Sequence, residues 1–97
     1  MLRVMVIGSN VTTVQRISRY CLEHGADVFP YYGIPGAEEV ALFNPQVSVL
    51  CLPVPENLLF QMVQQFCILW SEQPRDGFPL ASTRTELEAH LQTVLQA

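Results

Sequence analysis

At 97 residues, 49% hydrophobic and 14% charged, the chain has apolar material for one compact core and no room for a second domain. Its five basic residues, all Arg, face nine acidic ones, and with a net charge of −4 and no basic cluster to neutralise phosphates, nucleic-acid binding is disfavoured. So little charge on so small a domain implies that part of its surface is covered, by a partner or by a second copy. The apolar run at the N-terminus breaks at Gly8, too early for a signal peptide, and no run reaches membrane-spanning length, so a cytoplasmic protein without a membrane segment is expected. Cys21, Cys51 and Cys67 are odd in number and lack C-x-x-C spacing, which predicts reduced thiols packed in a core, with no disulfide framework and no metal.

The chain alternates strand and helix. Leu2 to Ile7 is a continuous apolar and β-branched run apart from Arg3, as a strand buried on both faces requires. Asn10 caps a predicted helix from Val11 to His24, with Val14, Ile17 and Cys21 on one face and Gly25 at its end. Ala26 to Tyr32 reads as the second strand and Gly33-Ile34-Pro35-Gly36 as a loop. Ala37 to Phe43 is a short helix stopped by Asn44-Pro45, and Val47 to Leu52 is the third strand, closed by Pro53 and Pro55. A helix is expected from Glu56 to about Ser71, then a loop from Glu72 to Gly77 and a weak fourth strand at Phe78 to Ser82. The last helix, about Thr85 to Gln96, carries Leu87, Leu91, Val94 and Leu95 on one side, and Thr85-x-x-Glu88 fits a capping box. Four such units predict a doubly wound, flavodoxin-like α/β sandwich on a four-stranded parallel sheet of order 2-1-3-4. Its switch point brings Gly8 to Thr13 opposite Cys51 to Asn57, outside the carboxyl ends of the strands.

Asn44-Pro45-Gln46-Val47-Ser48-Val49-Leu50-Cys51-Leu52-Pro53-Val54-Pro55 has the form of a buried functional strand. It resembles the third strand of response-regulator receiver domains, with Pro45, Cys51 and Pro55 at the places of that family's Pro, phospho-accepting Asp and later Pro. Arg19 to Gly25 before the second strand strengthens the resemblance, which covers roughly Leu2 to Thr83. It implies a receiver-like fold, cut short after the fourth strand-helix unit, with the last helix packed beside the first. It also implies what is lost. Gly8 and Ser9 stand where the family has the acidic pair that holds Mg²⁺, Cys51 replaces the acceptor, and the chain contains no Lys to pair with a phosphoryl group. Ser82 or Thr83 holds the place of the switch hydroxyl. A degenerate pseudo-receiver, incapable of phosphotransfer, is the expectation.

A second reading makes Gly8, Ser9, Asn10, Thr12 and Thr13, with Pro53, Glu56, Asn57, Ser82 and Thr83, the site of a nucleotide or other phosphorylated ligand in a small Rossmann-like domain. One Gly and no Walker Lys make that signal weak, and Asn10 and Thr12 more simply cap a helix. No base is positioned to activate Cys51, His24 suits a helix C-terminus, His90 borders an apolar face, and Glu38-Glu39 suits a helix first turn. No catalytic set converges, so neither an enzyme nor a cofactor is expected. From Leu58 to Ser71 the expected third helix carries no charge. One face, including Leu58, Leu59, Met62, Val63, Phe66, Leu69 and Trp70, would pack on the sheet, while Phe60, Gln64, Cys67 and Ile68 would meet a protein partner or a second copy.

Overall fold

The computed structural model describes residues 2–54, 67–71 and 80–96. Strand β1 (Arg3–Gly8) is buried along its length except at Arg3, which is partly exposed. Helix α1 (Val11–Glu23) starts where the Oδ1 of Asn10 accepts the Thr13 N–H at 3.1 Å, and it buries Val14, Ile17, Ser18 and Cys21 in one stripe. It ends into Gly25, whose φ of 95° lies in the left-handed region that glycine enters without cost. Strand β2 (Asp27–Tyr32) follows. Helix α2 (Ala37–Phe43) opens with the Glu39 carboxylate accepting the Gly36 N–H, and it stops at Asn44, left-handed at φ 53° and immediately before Pro45. Strand β3 (Val47–Cys51) is fully buried.

The next two elements depart from expectation. Residues Cys67–Trp70, expected to finish a helix, form strand β4, and Leu80–Ala81, within the segment expected as the fourth strand, form β5. Helix α3 (Arg84–Gln96) completes the order. All pairings are parallel and the sheet runs β2-β1-β3-β4-β5. The expected order 2-1-3-4 holds for the first four strands of the sheet, but the segment expected as the fourth strand is the fifth, and the added strand is Cys67–Trp70, inserted between it and β3. A fifth strand and a following helix also mean that the architecture is not cut short after four units.

Side chains divide strictly by strand alternation. Val4, Val6, Val49, Cys51, Ile68 and Trp70 belong to a core closed by Val14, Ile17 and Cys21 of α1 and Leu87 and Leu91 of α3. Met5, Ile7, Leu50 and Leu69 point the other way, where Val40 and Phe43 of α2 and Tyr31 of β2 pack on them. Strands with both faces covered are the reason for the near-continuous apolar runs. As expected, α3 lies beside α1: Arg84 Nη2 is 2.6 Å from Glu23 Oε2, and its guanidinium stands 5.1 Å above the Tyr20 ring. Among the described residues, no helix is long and apolar enough to cross a membrane.

Candidate functional site

The switch point lies between β1 and β3, which are neighbours in the sheet with Ile7 beside Leu50. One residue further on, Gly8 and Cys51 end the strands. A Cβ built on Gly8 would lie 2.9 Å from Cys51 Cβ and 2.9 Å from Val14 Cγ2, closer than carbon atoms approach without displacement. Cys51 is 3% exposed. The strand ends thus carry Gly8, Ser9 and Cys51, none of which supplies the carboxylate oxygen a magnesium site would need.

The predicted ligand-binding residues are only partly brought together, and the side chains of Asn10, Ser82 and Thr83 are engaged with their own helices. Ser9, Asn10 and Thr12 are exposed at the start of α1, but the Asn10 side chain is occupied by the Thr13 N–H. Ser82 Oγ donates to Glu86 Oε1 at 3.4 Å, and Thr83 Oγ1 donates to the same oxygen at 3.1 Å. The Glu86 N–H returns a bond to Thr83 Oγ1 at 3.2 Å. The capping residues of α3 are therefore Thr83 and Glu86, two residues earlier than the predicted Thr85 and Glu88. Glu88 instead accepts from Arg84 Nε at 2.8 Å. Pro53 is exposed and follows a cis peptide. Glu56 and Asn57 lie outside the described residues, and so does the loop expected from Glu72 to Gly77.

The predicted interface requires correction. Ile68 is 2% exposed and sits in the core shared with α1 and α3, and Cys67 belongs to the opposite cluster with Leu69. Neither lies on a helix. Alternation of Cys67, Ile68, Leu69 and Trp70 between the two faces is what a central strand imposes, and it hides Ile68 from any partner. Leu69 and Trp70, assigned to the sheet-packing face of that helix, are buried as core residues of β4. Phe60 and Gln64, with the rest of that expected helix before Cys67, and the side chain of Leu95 lie outside the described residues.

Thiol chemistry follows burial. Desolvation pushes Cys21 up to about 12 and Cys67 up to about 11, so both are neutral thiols at physiological pH and poor nucleophiles. Among the described residues, no group of three His, Cys, Asp or Glu is assembled to hold a metal ion.

A second surface went unnoticed in the sequence. Arg3 Nη2 donates to the Phe43 carbonyl at the end of α2, while its guanidinium stands 5.0 Å over the Phe43 ring. Phe43 in turn meets Phe29 at 5.2 Å between centroids, and Phe29 stacks on Tyr31 at 6.5 Å. The Tyr31 hydroxyl is held by Glu39, chiefly through a hydrogen bond that pushes its pKa up. Pro30 was the available signal, because proline within a strand marks an edge, where side chains are least covered.

These features define a receiver-type fold. The chain is similar over 98% of its length to 99% of the receiver domain of Klebsiella pneumoniae RstA, in its BeF3-activated form, at TM-score 0.78 and 18% identity. It is similar over 98% of its length to 98% of the pseudo-receiver domain of CikA, at TM-score 0.73 and 15% identity. It also matches 47% of the anti-anti-sigma factor PhyR of Bartonella quintana, at TM-score 0.73 and 14% identity. No family model matches the chain. No curated protein matches it either.

Proposed function

We propose that this chain is a non-catalytic, pseudo-receiver-like regulatory module that acts by binding a protein and is not phosphorylated at Cys51. The carrying observation is the contact between the ends of β1 and β3, where a Cβ on Gly8 would collide with Cys51 and Val14 and where Gly8, Ser9 and Cys51 supply no carboxylate to hold a magnesium ion. A receiver fold stripped of its phosphoryl apparatus retains surfaces, and surfaces act by binding. Similarity in fold to the CikA pseudo-receiver domain supports the same reading. Against a phosphorylated ligand at this end stand the engagements of Asn10, Ser82 and Thr83 with their own helices.

The direct test is incubation with acetyl phosphate and Mg²⁺ followed by intact-mass measurement. Unmodified protein is expected. A phosphoryl adduct on the wild-type chain, whether a thiophosphate on Cys51 or an acyl phosphate elsewhere, would refute the proposal.

A further inference from the structure

Resting on the reading of a protein-binding module, we infer that the docking surface is the outer flank of β2 and α2, and that its partner is an amphipathic helix carrying a basic rim. The two elements present one contiguous feature. Phe29 and Tyr31 point to the α2 side of the edge strand, and Phe29 remains 40% exposed even though it packs on Phe43. On α2, Glu39 and Phe43 form the row turned toward β2, as their contacts with Tyr31 and Phe29 establish. Glu38 and Leu42 form the next row outward, and Leu42 is 83% exposed. Helix α2 buries no residue fully, so its outer flank is available.

Charge selects the partner. From Asp27 to Phe43 the chain has three acidic residues, Asp27, Glu38 and Glu39, and no Arg, Lys or His. Among the described residues, Arg3 is turned onto the Phe43 carbonyl and ring. An apolar centre with an unopposed acidic rim is complementary to an apolar row flanked by Lys or Arg, whereas a second copy would bring the same acids into opposition.

Backbone geometry selects a helix over a strand. The N–H groups of Asp27 and of Gly33, just past β2, donate to the carbonyls of Leu2, just before β1, and of Gly8 at 2.7 and 2.9 Å, so the backbone groups of odd-numbered residues of β2 face β1. Pro30 is therefore on the free edge, where it removes the central donor that an added strand would need. The aromatic surface above that edge is left to accept side chains.

The test begins with a displayed library of amphipathic helices, randomised at apolar and rim positions, selected against the full chain. The most enriched peptide is then titrated into labelled protein. Lys or Arg at the rim is expected, with amide shifts confined to residues 27–32 and 38–43. Binding should weaken about tenfold or more in Leu42→Lys and in Glu38→Lys/Glu39→Lys, and it should fall with salt. Leu42 is so exposed that its substitution leaves the fold intact, as the spectrum of the variant reports. Shifts elsewhere, a rim without basic enrichment, or unchanged affinity in both variants would overturn the inference. So would a dimer dissolved by Leu42→Lys, which would assign the surface to a second copy. None of these results bears on phosphorylation, and an adduct on the wild-type chain would leave this surface to be judged on its own titration.

Discussion

Gly8 and Cys51 close the ends of the two central strands against each other, with 2.9 Å between Cys51 Cβ and the position a Gly8 Cβ would take. Gly8→Ala should therefore cost about 1–3 kcal/mol in urea unfolding, the range of overpacked cores. Cys51→Ala should give no relief, because the obstructing atom is a Cβ that alanine keeps. Val14→Ala removes the other obstruction, the Cγ2 atom, so Gly8→Ala/Val14→Ala should lose less stability than the sum of its parts. Strict additivity would mean that the strand ends can spread.

Restoring an acid at position 51 should not restore chemistry. Cys51→Asp places a carboxylate at a site with 3% exposure, in a core shared with Val49, Trp70 and Ala81. A charge buried this deeply in an apolar core costs several kcal/mol, and the group takes up a proton instead. Melting should shift downward at neutral pH and recover partly in acid. An unchanged melting temperature at pH 7 would show water or a cation reaching that position.

The two desolvated thiols set the alkaline limit of stability. Their pKa values rise from 9.0 unfolded to about 12 for Cys21 and about 11 for Cys67 when folded. Unfolding then releases protons once the pH passes about 9, so stability is constant below that value and declines through about 11 to 12. Each thiol contributes a slope of about 1.4 kcal/mol per pH unit within its window. Replacing Cys21 by Ala should flatten the decline above pH 9, read as urea midpoints across the range. An identical slope in the variant would place the titrating group elsewhere.

Much of the architecture was legible because the deciding signals were local. Asn10, Gly25 and Asn44-Pro45 set the limits of α1 and α2 through caps and a proline, and Val4 to Ile7 and Val47 to Cys51 are apolar on both faces as central strands must be. Cys67–Trp70 was not legible. Its four apolar residues prolong the helical spacing that begins at Leu58, and a short apolar run fits a buried strand or a helix end equally well. Only pairing with Ser48 to Cys51 decides it, and that contact is remote in sequence. The same error carried Cys67 and Ile68 onto a supposed binding face. The aromatic flank of β2 was hidden for the opposite reason: strand residues with Phe and Tyr look like core until Pro30 is recognised as an edge marker.

At the start of α3, Thr83→Ala should cost about 1 kcal/mol, since it removes the acceptor of the Glu86 N–H and one donor to the Glu86 carboxylate. The ion pair beside it is worth less. Arg84 is 47% exposed, and although hydrogen bonding to Glu88 and the charge of Glu23 favour its cationic form, Arg84→Ala should cost less than Thr83→Ala, and less still in high salt. Urea unfolding of both variants ranks the cap above the ion pair; the reverse order would show that Arg84, over Tyr20, joins α3 to α1 mainly by stacking.

The most direct measurement of the proposal that this chain takes up no phosphoryl group is an amide spectrum recorded during titration with Mg²⁺ and beryllofluoride, which occupies a receiver's phosphoryl site without turnover. Silence at Gly8 to Thr13, Cys51 to Val54 and Ser82 to Thr83 is predicted. Saturable shifts at those residues would contradict that proposal.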